Sequence, residues 1–299
     1  MTFSASSVPA SGGRTDFGLV SIVMPAYNAA AHIEESIRSV VTQTYANWQL
    51  LIVDDGCTDA TPDIIRAWSE REPRIQGLKT SGRTGVANAR SVAIDAATGD
   101  YIAFLDSDDL WDPRKLEAQL SFMRERGSVF SFTAYRKMDM NGVIGRDVIN
   151  VPESVTYRDL LKSNHIGCLT ALFDRRHFGT IEVPRLGRRE DYRLWLNILR
   201  GPVVHEDYSL WLKLLRPVRP LAGVGTAIAP TSAPRAVAHG LNEPLAFYRC
   251  GKPSLSSNKL KAAASQWIIY REIEKLPLRV SAYYFAHYAL KGFLKYRKT

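Results

Sequence analysis

Acidic residues gather at two places where a strand gives way to a loop. Asp54-Asp55-Gly56 follows the apolar run Trp48–Val53, and Asp106-Ser107-Asp108-Asp109 follows Tyr101–Leu105. Either cluster alone is what a solvated loop at a strand end carries. Two at the same edge of one sheet pose an electrostatic problem, because packed carboxylates repel and a cation offsets the repulsion. Hard oxygen donors such as Asp106 and Asp108 suit Mg²⁺ or Mn²⁺ shared with phosphate oxygens. No His or Cys set has zinc-ligand spacing. There is no GxxxxGKS/T phosphate loop and no GxGxxG after the first strand, which counts against P-loop and dinucleotide chemistry.

A further acidic feature is duplicated. Residues 189–200 (REDYRLWLNILR) and 205–216 (HEDYSLWLKLLR) agree at eight of twelve positions after a shift of 16. Each copy places a Glu-Asp pair, Glu190-Asp191 or Glu206-Asp207, ahead of an apolar stripe. Both read as amphipathic helices with acids in the first turn, where the helix dipole favours negative charge. Trp195 and Trp211 fall in those stripes, as core anchors or as platforms for a sugar ring; the stripe favours the core. Two copies at a period of 16 make no solenoid.

The elements that must position these acids alternate along the chain. Leu19–Met24, Trp48–Val53, Ile75–Leu78 and Tyr101–Leu105 read as strands. Between them, Ile33, Ile37, Val40 and Val41 recur at helical spacing, Thr61–Trp68 carries Pro62 in a first helical turn, and Val86–Ala97 is a small-residue helix. Strand and helix in alternation predict a parallel sheet covered on both faces, with ligands beyond the carboxyl ends of its strands. Val129–Thr133 reads as a further strand and Tyr157–Lys162 as a short helix. Pro217 to His239, rich in Pro, Ala and Gly, reads as a long inserted loop.

The chain has 299 residues and a net charge of +9; 45% of residues are hydrophobic and 23% charged. That composition excludes a disordered chain, a collagen and a disulfide scaffold. The longest run without a formal charge, Phe17 to Ile33, is broken by Pro25 and Asn28, which excludes a polytopic membrane protein. Cys57, Cys168 and Cys250 are too few for a disulfide framework and suit a reducing compartment. Residues 1–17 read as a flexible tail with no signal-peptide pattern, so the cytoplasm is the expected location.

The ordered set of motifs resembles a family 2 glycosyltransferase of the GT-A fold. It comprises Pro25-Ala26-Tyr27-Asn28, Gln43-Thr44-Tyr45, Val53-Asp54-Asp55-Gly56-Cys57-Thr58-Asp59, Gly85 through Ala89-Arg90, Gly99-Asp100-Tyr101 and Asp106-Ser107-Asp108-Asp109. The likeness covers residues 19–216. Gly240-Leu241-Asn242-Glu243 through Tyr248-Arg249, with Ser254-Leu255-Ser256, is similar to bacterial members that build surface polysaccharides or teichuronic-type polymers.

The resemblance implies a mostly parallel central sheet flanked by helices over residues 18–250, followed by a C-terminal helical segment, 251–299. It also implies roles. Pro25, Tyr27, Asn28, Asp54 and Asp55 would line the nucleoside pocket, Tyr27 stacking on the base and Asp55 accepting a hydrogen bond from it. Asp106 would face the ribose or the outer shell of an Mn²⁺ or Mg²⁺ ion, and Asp108 would ligate that ion. Asp191, beside Glu190, would deprotonate the acceptor hydroxyl; Asp207 is the alternative from the second copy. Two positions depart from the family pattern. Cys57 replaces a Ser, and Arg83 stands where an Asn is common, which moves its nucleotide contact from base toward phosphate.

The activity so implied is an inverting, metal-dependent transfer of a sugar from a nucleotide donor, UDP-linked, to a glycan or polyprenyl-linked acceptor of the cell surface. Plainer roles stay open: Tyr27 packed on the sheet, Arg90 in a structural ion pair instead of on the nucleotide, Cys57 as a small buried residue. The rival readings are an inert nucleotide-sugar-binding or scaffolding protein of the same fold, a sugar-nucleotide pyrophosphorylase, which lacks its GxGTR-like segment here, and a nucleic-acid binder. The last rests on charge alone, and the charge does not track a groove.

Residues 279–299 hold Arg279, Lys291, Lys295, Arg297 and Lys298 and no acid, five of the nine net positive charges. Tyr283, Leu290, Phe293 and Leu294 share a helical face between them. This segment either lies on an anionic membrane surface or packs on the catalytic domain with its charges in water.

Overall fold

The computed structural model describes residues 16–82, 84–178, 183, 189–200, 237–251 and 259–296, the side chains of 259–261 and 291–296 excepted. Arg83, Asp207, Trp211 and the expected loop up to residue 236 therefore lie outside the described residues.

The alternating half forms as its pattern dictates. β1 (Val20–Ala26), α1 (Ile33–Val41), β2 (Trp48–Asp54), α2 (Thr61–Arg71), β3 (Ile75–Lys79), α3 (Val86–Ala96) and β4 (Tyr101–Phe104) follow in order. Then come β5 (Leu110–Trp111), α4 (Lys115–Arg126), β6 (Phe130–Met138), β7 (Ile144–Ile149), β8 (Ser154–Val155), α5 (Tyr157–Lys162) and β9 (Leu172–Asp174). α6 (Glu190–Arg200), β10 (Ala238–Arg249), α7 (Lys259–Ile268) and α8 (Leu278–Tyr296) complete the described elements.

The strands lie in the order β3-β2-β1-β4-β9-β6-β10-β5, with β7 beside β6 and β8 beside β10. The run β3-β2-β1-β4 is parallel, which requires both faces to be covered. Beyond β4 the sheet is mixed: β9 is antiparallel to β4 and β6, while β10 runs parallel to β6 and antiparallel to β5.

Alternate strand residues feed two cores. Ile22, Met24, Leu50 and Ile52 pack with Ile33 and Ile37 of α1 and Leu116 and Leu120 of α4. On the other face Val23, Leu51 and Phe104 pack with Ala93 of α3, Trp195 of α6 and Tyr270. Trp195 is fully buried, its ring 5.3 Å from Phe104 and 5.4 Å from Phe130 between centroids, so it is a core anchor.

β10 starts inside the stretch expected to be loop. Ala238 and His239 pair with Val155 and Ser154, and cross-strand pairing supplies the backbone partners that a loop would have had to find in water. Gly240 suits this crowded register, because a Cβ there would lie 2.1 Å from the Pro152 carbonyl oxygen.

α7 runs on into a π-helical turn, Ile269–Ile273, and α8 folds back beside it. Ile269, Tyr270 and Tyr284 are buried in the same core as Trp195. Tyr270 Oη donates to the Leu161 carbonyl, and Glu274 accepts from Tyr157 Oη and from Arg200 at 3.2 Å. The C-terminal helices are thereby docked on α5 and α6. Among the described residues, no helix is long and apolar enough to cross a membrane.

Candidate active site

The candidate residues meet at the carboxyl ends of β1, β2 and β4. Pro25 is buried in β1 opposite Val53, while Tyr27, just past the strand end, is 64% exposed and does not pack on the sheet. Asn28 has φ +45°, a conformation that Asn tolerates better than most residues. Its Oδ1 accepts from the Thr58 N–H at 2.8 Å, and its own N–H reaches Cys57 Sγ at 3.3 Å. Asn28 thus ties the loop after β1 to the loop after β2.

Asp54 and Asp55 do different work. Asp54 Oδ1 closes the turn by accepting from the Cys57 N–H at 2.8 Å, and Lys79 lies 3.8 Å from its carboxylate. Both Asp55 oxygens accept from the Gly85 N–H, at 2.9 and 2.8 Å. Gly85 sits at φ +125°, a backbone that side chains rarely adopt, immediately before α3. Asp55 therefore shapes the start of α3, and a carboxylate with four lone-pair positions retains capacity for a ligand N–H.

The loop after β4 carries three acids. Asp109 is buried; its Oδ1 accepts from the Arg249 backbone N–H at 2.8 Å, and among the described residues its Oδ2 has no hydrogen-bond partner. Burial pushes the Asp109 carboxyl well above the usual range, and the charge of Asp106 and Asp108 adds to the shift. The buried Arg249 side chain holds this loop from behind. It donates to the Asp108 carbonyl at 2.7 Å, to the Met140 carbonyl at 3.1 Å and to Glu35 Oε2 at 2.6 Å.

An oxygen-rich loop with three acids close together and a buried Asp109 Oδ2 that has no hydrogen-bond partner among the described residues fits a divalent cation. Asp106 and Asp108 are the residues that would hold it. Among the described residues, no three His, Cys, Asp or Glu side chains form a metal cluster by themselves. Phosphate oxygens and water would have to complete the shell, as is usual for Mg²⁺.

Arg90 joins this loop to α6. The guanidinium, on α3 and 3% exposed, donates to Asp106 Oδ1 at 2.6 Å and to Glu190 Oε1 at 2.5 Å. Its two terminal nitrogens are thus engaged by protein carboxylates, an ion-pair arrangement, while among the described residues its buried Nε has no hydrogen-bond partner. Glu190 is buried against it, and Asp191 follows, half-buried in the first turn of α6. Burial raises the Asp191 carboxyl above the ordinary aspartate range, and Arg90 and the Tyr192 N–H pull it part of the way back. A carboxylate raised above the ordinary aspartate range and kept beside a fixed cation can accept a proton.

Four residues around the site were given no role by the sequence. Arg249 and Glu35 brace the acid loop. Arg189 and Gln266 flank the acid pair from the helix start and from α7. Only Arg249 had a local signal, as the one charge ending an otherwise mostly apolar stretch, Pro244–Tyr248.

The sequence profile of glycosyl transferase family 2 matches residues 21–178. A Bacillus subtilis (strain 168) protein named as a teichuronic acid biosynthesis glycosyltransferase, TuaG, is 39% identical over 271 residues, which cover 91% of this chain and 94% of the relative. The Escherichia coli UDP-Glc:alpha-D-GlcNAc-diphosphoundecaprenol beta-1,3-glucosyltransferase WfgD is 36% identical over 278 residues, 93% of this chain and 95% of the relative. Among solved structures, S. aureus TarS 1–349 in complex with UDP superposes with a TM-score of 0.59 at 18% identity, over 90% of this chain and 70% of that one. That likeness carries the fold alone, and the fold is GT-A. Because the profile spans more than half of the chain and both relatives exceed 30% identity along nearly all of it, the protein belongs to glycosyltransferase family 2.

Proposed function

We propose that this chain transfers a sugar from a UDP-linked donor to a hydroxyl of a lipid-linked cell-surface glycan, inverting the anomeric carbon. The observation that carries the reading is the bridge through Arg90. It places an acid pair on α6 and the acid loop after β4 on one cation. The uridine donor and the lipid-linked acceptor are supported by the name of WfgD, and the uridine by the ligand of TarS.

The residues divide the work. The exposed Tyr27 ring offers a stacking face for the base, and Asp55 offers its remaining lone pairs to the base N–H groups. When bound at Asp106 and Asp108, a divalent cation would supply Lewis-acid stabilisation to the departing diphosphate. Asp191 takes the proton of the acceptor hydroxyl as its oxygen bonds to the anomeric carbon. The bond from that carbon to the diphosphate oxygen breaks, and its electron pair leaves with the nucleotide. Attack from the face opposite the leaving group inverts the centre. Glu190 fixes Arg90, whose charge keeps Asp191 available in its ionised form.

A lipid-linked acceptor brings the enzyme to a membrane, and α8 supports that location. Leu278, Tyr283 and Leu290 are exposed on it, while Tyr284 faces the core. From Lys275 to Thr299 the sequence has no acid. Exposed apolar residues, Tyr283 and Leu290 on one face and Leu278 at the helix start, with basic residues on either side in the sequence, fit the headgroup region of an anionic bilayer. The packed and membrane-bound arrangements are then compatible, one face of α8 serving each.

Calorimetric titration with UDP and Mn²⁺, run beside a transfer assay, tests the reading. UDP affinity should rise with Mn²⁺ and lose that rise in Asp108→Ala, and Asp191→Asn should bind UDP yet not transfer. Metal-independent binding in the parent protein would sink the cation assignment.

A further inference from the structure

The residue that precedes the acid pair is held in an unusual way. Arg189 has φ +65°, in the left-handed region that residues with a Cβ seldom occupy, and its carbonyl accepts from the Arg193 N–H at 3.1 Å in the opening turn of α6. A backbone in that region persists when its surroundings determine it. Here the surroundings come from the C-terminal helices. The Arg189 guanidinium donates to Gln266 Oε1 of α7, and it lies over the Tyr192 ring at 5.0 Å and the Tyr288 ring of α8 at 5.4 Å.

Gln266 is 1% exposed and uses both ends of its amide. Its Nε2 donates to Tyr192 Oη at 3.1 Å, and that hydroxyl donates in turn to the Leu160 carbonyl of α5 at 2.8 Å. One buried amide therefore grips the residue before Glu190-Asp191 and the residue after it. α3 supplies Arg90 on one side of the pair, and α7 supplies the grip on the other.

We propose that Gln266 is a positioning residue for the transfer reaction. By holding Arg189 in its left-handed conformation it sets where α6 begins, and so where the Asp191 carboxylate stands relative to the acceptor hydroxyl. The C-terminal helices are then part of the catalytic apparatus. This inference rests on Asp191 being the general base. A displacement of about 1 Å in a reacting group can cost on the order of 10²-fold in rate, so a hydrogen bond remote from the substrate suffices to matter.

The test uses the full chain with UDP-glucose as donor probe, membranes bearing polyprenyl-linked acceptors, and UDP titration. Gln266→Leu removes the amide. Gln266→Asn keeps an amide in the buried site, one methylene too short to reach Arg189. Gln266→Glu keeps the oxygen acceptor for Arg189 at full length and gives up only the N–H donated to Tyr192 Oη. The Leu and Asn variants should lose about 10- to 100-fold in kcat with donor KM and UDP affinity within about twofold of the parent. The Glu variant should recover most of the loss, which general packing would not explain.

Amide hydrogen exchange over residues 190–194 gives a readout independent of turnover. It should quicken in the Leu and Asn variants and stay parental in the Glu variant. Parental kcat and exchange in the Leu and Asn variants would overturn the proposal, as would an equal loss of UDP affinity or no recovery in Gln266→Glu. Asp191→Asn runs alongside. If it transfers normally, the base assignment falls and the proposal with it; if it is dead while Gln266→Leu is unaffected, the positioning role alone falls.

Discussion

Arg90 and Glu190, one hundred residues apart in sequence, meet at 2.5 Å inside the protein, and the same guanidinium reaches Asp106 at 2.6 Å. One buried cation thus balances an acid of the loop after β4 and an acid at the start of α6. Removing it strands both. Arg90→Met should destabilise the protein by about 3–5 kcal/mol in urea unfolding, the usual cost of leaving buried charge uncompensated. The double variant Arg90→Met/Glu190→Gln should regain part of that loss, and failure to regain any would mean that the pair does not interact as described.

In the proposed mechanism the protonation of Asp191 sets an acid limit on turnover. A general base works ionised, so the rate falls as pH drops through its folded pKa. Burial raises that value above the ordinary 3.8, so the acid limb of kcat should lie above the range of an exposed aspartate. Asp191→Asn should abolish the limb and lower kcat by about 10²–10⁴-fold. Asp207→Asn should leave most activity; the reverse pattern in a pH–rate series would move the base to the second copy.

Lys115 is a buried amine with a measurable signature. It is fully buried at the start of α4, donates to Gln119 Oε1 at 2.8 Å and lies 4.2 Å from the Trp111 ring centre. Burial lowers its pKa from 10.5 to about 7. The unfolded chain then binds more protons than the folded one between those values, so stability rises with pH across that window. From pH 7 to 9 this one group should add about 2 kcal/mol. The difference in unfolding free energy between the parent and Lys115→Met should shift by that amount; a difference flat with pH would show that Lys115 is charged in the fold.

Membrane association should depend on the exposed apolar residues of α8. The parent protein should sediment with phosphatidylglycerol vesicles at low salt and less so at high salt, each basic residue near the surface contributing about 1 kcal/mol. The triple variant Leu278→Ser/Tyr283→Ser/Leu290→Ser keeps every charge and the core-facing Tyr284. It should stay in the supernatant, and equal sedimentation of the two proteins would remove the apolar face from the interaction.

Much of this was legible from local pattern. The strand–helix alternation from Val20 to Phe104 carries its own periodicity, and the acid clusters fall at the strand ends because such loops are where a parallel sheet presents its side chains. α4 was within reach too, through Leu116, Leu120 and Met123 on one face, yet Lys115 and Gln119 blur the stripe by being polar and buried. Arg249 could not be given a role from its surroundings in sequence. Its partners Asp108, Met140 and Glu35 come from three remote segments, and nothing near residue 249 encodes their convergence. Gln266 is harder still, a polar residue in an ordinary helix whose importance comes only from what it meets 77 residues upstream.

That separation has a consequence for how the protein is made. Polypeptides emerge at roughly 5–20 residues per second, so α7 follows Arg189 off the ribosome by roughly 4–15 s. During that interval β1 to β4 and their helices already exist and can collapse into the parallel half of the sheet. The start of α6 has no grip until Gln266 arrives. On the proposed roles of Asp191 and Gln266, the competence to transfer would therefore be acquired late in synthesis.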